Sequence, residues 1–249
     1  MNTPIFAHVR MGVFLYQNCM MSSQSLLNRP FIFLNKLKVN NNREWFNKNK
    51  DQYLEAHQQI IAFADLLLDE LNKTDVIETP TAKKSLYRIY RDVRFSKDKT
   101  PYSLYFGGGF RRAGAERRGG YYFHLEPGNT YVGGGFWGPN SQDMMHIRKH
   151  LQQEPEMLRD IIADPDFKKN FGLLRGEQLK RAPKGFEVDD PAIDLLRYKQ
   201  YWIRHEFDMK EVMGPNFHLS IIKQFHYMRP FFDYMSEILT SDLNGESIL

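Results

Sequence analysis

The sequence predicts an α+β domain: an antiparallel sheet of about five strands from the middle of the chain, packed by N-terminal and C-terminal helices. Three observations predict it. Apolar residues before Asn72 and after Asn140 recur at helical spacing. Between Ser85 and Trp137 the segments are short, aromatic-rich and bounded by Gly, Pro or Asn. The regular strand–helix alternation of a doubly wound fold is missing. With 249 residues, 42% of them hydrophobic, the chain suits one domain with one core and is too apolar for wholesale disorder.

Residues 1–25 are expected to be a disordered leader or a mis-called start. Val13 to Tyr16 is too short for the apolar part of a signal peptide, and Met20-Met21 stand just before a polar Ser-Ser-Gln-Ser stretch. Residues 26–242 are expected to form the domain and 243–249 a tail. Pro30 to Leu37 predicts a helix with Pro30 near its first turn. Asn41 and Glu44 resemble a capping box, and Phe46, Tyr53, Ile60 and Leu67, seven apart, predict one long helix to about Asn72. Strands are predicted at Ser85 to Val93, Ser103 to Phe110, Tyr121 to Glu126 and Thr130 to Trp137. The turn Glu126-Pro127-Gly128-Asn129 joins the last two in a hairpin. Helical spacing returns from Asn140 to Asn170, with new starts at Pro155 and Pro165. Lys180 to Pro191 is irregular, Tyr198 to Phe207 predicts a further strand, and Pro215 to Leu239 a helix broken at Pro230.

Cys19 is the only cysteine, which excludes an intrachain disulfide and a thiolate metal cluster and suits a reducing cytoplasm, the expected location. No apolar run approaches the about 20 residues of a transmembrane helix, so no membrane partner is expected. His146 and His150 have the spacing of two metal ligands on a helix, but no adjacent Glu completes that motif. Neither metal nor cofactor is expected.

The formal net charge is only +4, but its distribution is uneven. Between Ala82 and Arg118 eleven Lys or Arg face three acids, a surplus of eight that leaves the rest of the chain at −4. Arg88, Arg91, Arg94, Lys97 and Lys99 are interleaved there with Tyr87, Tyr90, Phe95 and Tyr102, a composition suited to gripping an anion beside stacking faces. Asp92 and Asp98, between the cations, either hold arginines in place, act as a general base or metal ligand, or are plain surface. A second basic loop, Lys180-Arg181-Ala182-Pro183-Lys184, would complete a two-sided phosphate clamp if it converged on the first. Tyr122, His124 and Glu126 alternate along one strand and share a face, where His124 beside a carboxylate is a candidate proton shuttle. The Gly triplets Gly107 to Gly109 and Gly133 to Gly135 lack a following Gly-Lys-Ser/Thr. They point to close packing in strands rather than a phosphate loop.

The pattern Arg88-x-x-Arg91-Asp92-x-Arg94-Phe95-x-x-Asp98-Lys99-x-x-Tyr102 resembles the signature of a mainly bacterial family, the domain of unknown function numbered two-four-six-one. Asn41, Trp45 and Phe46, the Tyr122-x-His124-x-Glu126-Pro127-Gly128 hairpin, Gly134-Gly135 with Trp137, and Leu179 to Phe186 extend the resemblance over nearly the whole chain. It implies a compact cytoplasmic domain and carries no activity, cofactor or protein partner with it.

Three readings of function follow from the residues. The first is a module that binds a phosphate-bearing ligand, a nucleotide or single-stranded nucleic acid, in a basic, aromatic-lined pocket. Arg88, Arg91, Arg94, Lys97, Lys99, Tyr102, Lys180, Arg181 and Lys184 would be its ligand-binding residues. The second is a hydrolase or transferase acting on an anionic, phosphorylated substrate, with Asp92 and His124 as its catalytic residues. The third is a structural or interaction protein in which the Arg-Asp-Arg run forms an internal ion-pair network.

Overall fold

A computed structural model of the chain describes residues 25–249. The expectations for residues 1–24, including Cys19, lie outside the described residues. Four strands, β1 (Phe106–Arg111), β2 (Gly120–Leu125), β3 (Tyr131–Phe136) and β4 (Tyr201–Glu206), pair antiparallel in the order β1-β2-β3-β4. Ahead of them come α1 (Asn28–Val39), α2 (Arg43–Lys48), α3 (Lys50–Leu71) and the single turn α4 (Ala82–Ser85). Between β3 and β4 lie α5 (Ser141–Gln153), α6 (Glu156–Ala163), α7 (Pro165–Phe171) and α8 (Ile193–Leu196). After β4 come α9 (Met209–Val212), α10 (Phe217–Tyr227) and α11 (Arg229–Ile238). The expected α+β class holds, and no helix among the described residues is long and apolar enough to cross a membrane.

Three expectations need correction. The segment Ser85 to Val93 is not a strand. After α4 it makes a single bridge from Leu86 to Gly108, then folds back on itself through Tyr90 and Tyr102, with Arg91 N–H donating to Pro101 O at 2.9 Å. Pro101 has no N–H to return, so the ladder stops there. The long helix is two, because Asn49 (φ −111°, ψ 20°) leaves helical geometry and its side chain donates back to Trp45 O at 2.9 Å. Asn42 rather than Asn41 caps α2, accepting from Trp45 N–H at 2.9 Å. Asn41 instead brackets the Tyr102 backbone, donating to its carbonyl at 2.9 Å and accepting from its N–H at 3.2 Å.

Side chains alternate across the sheet, and the two faces differ in kind. Phe110, Tyr121, Phe123, Val132, Phe136 and Ile203 point to one face and are buried. Helices cover that face. Tyr121 packs 4.8 Å from Phe225 of α10 and 5.1 Å from Phe232 of α11, and Tyr53 of α3 stacks on Phe106. The central glycine of each triplet faces the same way. A Cβ at Gly108 would stand 2.8 Å from the Phe123 ring, and one at Gly134 would run into Phe232 and stand 2.8 Å from Met228 Sδ. Those glycines let the aromatic layer and α11 close on the strands, the packing role their sequence suggested.

A buried charge cluster ties the end of α3 to the sheet and to α11. Arg112, just beyond β1, donates to Asp75 at 2.8 Å and to Asp233 at 2.7 Å. Asp75 also accepts from Tyr121 Oη at 2.7 Å and from its neighbour Val76 N–H at 2.8 Å. The Arg112 and Asp75 side chains are 2% and 1% exposed. Arg112→Met, which leaves Asp75 without its main counter-charge, should lower unfolding free energy by about 3–5 kcal/mol in urea titrations. Arg91→Met, at a surface pair, should shift the midpoint far less.

Candidate functional site

The uncovered face of the sheet is a groove of about 780 Å³. Its floor is made by the flanking glycines of the two triplets, Gly109, Gly133 and Gly135, which point away from the core and bring no side chain. Tyr87, Tyr122, Tyr131, Trp137 and Trp202 wall it, and Lys84, Arg111 and Glu78 stand at its rim. The rings are ordered against one another. Trp137 stacks on Trp202 at 5.8 Å, meets Tyr122 edge-on at 6.1 Å, and Tyr122 stacks on Tyr87 at 6.0 Å. Gly135 has φ +139°, and a Cβ there would stand 2.6 Å from Trp202 Cα, so only glycine lets β3 and β4 approach at this point.

A row of stacked groups crosses all four strands beside the groove. Tyr105, next to β1, stacks on His124 of β2 at 4.1 Å. His124 stacks on Tyr131 of β3 at 4.5 Å, and the Arg204 guanidinium of β4 lies 3.6 Å over the Tyr131 ring. A second, hydrogen-bonded row runs along β2. Glu126 accepts from His124 Nε2 at 3.0 Å, and Tyr122 Oη lies 3.1 Å from His124 Nδ1. A carboxylate only accepts, which assigns the ring proton to Nε2 and leaves Nδ1 to accept from the Tyr122 hydroxyl. Burial lowers the His124 pKa against the opposing pull of Glu126, and burial raises that of Tyr122. The imidazole is therefore neutral at pH 7 and the phenol keeps its proton.

Residues 30–234 match the family model described as a conserved hypothetical protein, DUF2461. The chain belongs to this family. No curated protein matches it, and no solved structure does. Since the match spans both the groove and the basic segment, all the site residues proposed from sequence lie within the DUF2461 region.

Of the proposed pair Asp92 and His124, only His124 lies in the sheet beside the groove. Asp92 is exposed on the loop of the 89–103 hairpin, and no hydrogen bond joins the two among the described residues. Arg94 chelates Asp92 through contacts of 2.7 to 3.2 Å, which lower its pKa. Arg91 donates to Asp98 at 2.6 Å, to Thr100 O at 3.0 Å and to the Thr100 hydroxyl. The Thr100 N–H and Arg91 hold the Asp98 pKa down at about 2. Lys99 reaches the carbonyls of Val93 and Arg94 at 3.0 and 3.4 Å. Tyr102 is buried, stacked 4.0 Å from Phe46, and offers no face to a ligand. Arg88 and Lys97 are exposed, with no ion pair among the described residues.

The Arg-Asp-Arg run is thus a set of surface pairs, with Asp92 and Arg94 side chains 61% and 76% exposed, and not an internal network. The buried pair of the basic segment is Arg112 with Asp75. Lys180, Arg181 and Lys184 are exposed on a loop beyond β4, where Arg175 pairs with Trp202 and Gln178 with Tyr198. The 89–103 hairpin leaves the opposite edge, where Leu86 pairs with Gly108. Those two edges are five strand spacings apart, about 24 Å, so the structure does not bring the two basic loops together.

Sequence reasoning missed Trp202, Tyr131, Lys84 and Arg111 as groove residues. For the three on strands the one available signal was alternation with a period of two, which fixes a face without saying that it stays uncovered; Lys84, on α4, gave none beyond its charge. His146 donates to the carbonyls of Ile238 and Ser241 and His150 to that of Ser241, tying α5 to the end of α11 and the residues after it.

Because burial lowers the His124 pKa, the unfolded chain takes up a proton below about pH 6.5 that the folded chain does not. Unfolding free energy should therefore fall as pH drops from 7 to 5. His57, His150 and His218, whose pKa values burial also lowers, contribute to the same slope. His124→Gln should flatten it in part, and nitrogen NMR of the wild-type ring should show the Nε2–H tautomer at pH 7.

Proposed function

We propose that the groove binds a phosphate-bearing ligand with a flat ring system, a nucleotide or single-stranded nucleic acid. The observation that carries this reading is the uncovered, glycine-floored groove walled by five aromatic side chains with Lys84 and Arg111 at its rim. A flat ring fits between walls that are themselves flat, and a floor without side chains lets it approach the backbone. Lys84 has no acidic partner among the described residues. Arg111 has only Glu78 at 3.9 Å, with the arginine side chain 77% exposed, so both remain available to phosphate. The ligand-binding residues on this reading are therefore Trp137, Trp202, Tyr122, Tyr87, Lys84 and Arg111.

Trp137 and Trp202 line the groove, whereas the third tryptophan, Trp45, packs on Phe33 in the helical layer. Groove binding should therefore quench tryptophan emission. Titration with a nucleotide and with a thymidine oligonucleotide should give saturable quenching that Trp202→Ala weakens by about 5- to 150-fold. For the oligonucleotide, affinity should fall steeply between about 50 and 500 mM salt. Saturable quenching by neither probe would remove this reading.

A second reading, an enzyme acting on a phosphorylated substrate, is favoured by one observation. The row Glu126–His124–Tyr122 ends on a hydroxyl at the groove wall. Its O–H donates to His124 Nδ1, so a proton taken up by the hydroxyl oxygen passes on to the imidazole, the arrangement of a proton relay. On this reading Tyr122→Phe and His124→Gln should abolish turnover of a groove-bound phosphoester while leaving its binding within about threefold of wild type.

A further inference from the structure

We infer that the ligand is specifically a single strand of nucleic acid, and that the 89–103 hairpin is a second contact at which Phe95 stacks on a base outside the groove. This rests on the groove reading above and names its substrate class.

Phe95 is 96% exposed, more than any other large apolar side chain among the described residues. An exposed phenylalanine on a loose loop could turn inward, but this loop is braced. Tyr90 pairs with Tyr102, Ser103 N–H donates to Ile89 O at 2.7 Å, Arg91 ties both Asp98 and Thr100, and Lys99 reaches back across the tip to the carbonyls of Val93 and Arg94, just before Phe95. The backbone that carries Phe95 is thus fixed before any partner arrives, which removes much of the ordering cost of a contact. Asn41 anchors the base of the same hairpin to the N-terminus of α2.

The surroundings of the ring select its partner. Arg94 lies 5.9 Å from its centroid, Lys97 follows two residues on, and the carboxylates of Asp92 and Asp98 are already engaged by Arg94 and Arg91. The tip therefore presents one flat ring with cations beside it, the pairing that stacks on a base and meets its phosphate. A lipid surface fits less well, because Asp92 and Asp98, 61% and 59% exposed, would enter the headgroup layer with the ring. Phe95 also follows the groove residue Tyr87 along the chain. Tyr87 walls the groove, Tyr90 is 56% exposed further along the same segment, and Phe95 stands at the end. Phe95 does not line the groove, so a lone nucleotide bound there leaves it bare, whereas a strand running along this segment meets both.

The test uses the whole chain and thymidine oligonucleotides of about 2, 4, 8 and 16 residues, bracketing the site sizes of single-strand binders. Tryptophan quenching reports the groove, and 2-aminopurine placed near either end of the longer strands reports stacking outside it. Affinity should rise with length. Phe95→Ala should lose about 5- to 150-fold for the long strands and the quenching of one terminal 2-aminopurine, while binding the dinucleotide like wild type. If tryptophan quenching persists but Phe95→Ala matches wild type at every length, the inference fails and the groove reading stands. Equal loss at every length, or Phe95-dependent sedimentation with anionic phosphatidylserine vesicles in place of the length effect, also overturns it. Absence of quenching by oligonucleotides of any length overturns the inference, and the groove reading then stands or falls on the nucleotide titration.

Discussion

Glycine in a strand interior ordinarily weakens it, since it contributes no cross-strand side-chain pair and loses the most backbone freedom on ordering. Half of the residues of β1 and half of those of β3 are glycine, and both strands are nevertheless well formed. Neighbouring groups fill the space on the covered face. The rings of Phe123 and Phe232 occupy the positions that side chains of Gly108 and Gly134 would take. On the other face the space over Gly109, Gly133 and Gly135 is bordered by Tyr87, Trp137 and Trp202, and the groove lies between these and the rings of Tyr122 and Tyr131. Helix packing and ligand-sized concavity thus come from one device, read from opposite sides of the same backbone.

The sheet compensates for its missing side chains by stacking. Tyr105, His124, Tyr131 and Arg204 form a continuous pile across the strands, which holds them in register where glycine pairs cannot. The pile fixes the His124 ring plane, and the bonds to Glu126 and Tyr122 fix its tautomer. A histidine so constrained serves both as a structural wedge and as one member of a proton-bearing row, because both roles need the neutral ring in a single orientation.

The basic segment shows how charge counting and charge geometry part company. Six of its seven arginines meet an acid: Arg91, Arg94, Arg111, Arg112, Arg117 and Arg118. Its four lysines meet none among the described residues. A guanidinium, with its planar fork, is suited to bracing turns and bridging elements. The point charge of lysine is left on the surface. The surplus of eight is consequently much smaller as a field than as a sum, and what remains available lies at the groove rim and the hairpin tip.

Element type was legible from local pattern except at Ser85 to Val93, where a proline in the facing segment ends the ladder. The seven-residue apolar recurrence through Ile60 and Leu67, the Pro-Gly-Asn turn between Glu126 and Thr130, and the alternation of Tyr122, His124 and Glu126 all rest on interactions within a few residues or on a period of two or 3.6. Membership of the DUF2461 family was legible for a similar reason, since motif spacing survives in one dimension. What the sequence could not decide was which face of the sheet would be left bare, and which of many cations would find acids distant in the chain. Asp75 reaches Arg112 across 37 positions, Trp202 joins Trp137 across 65, and the two basic loops fall on opposite edges because β4 closes the sheet on the far side from Leu86. Those outcomes depend on how the strands are ordered and where the helices dock, and only the packed chain specifies either.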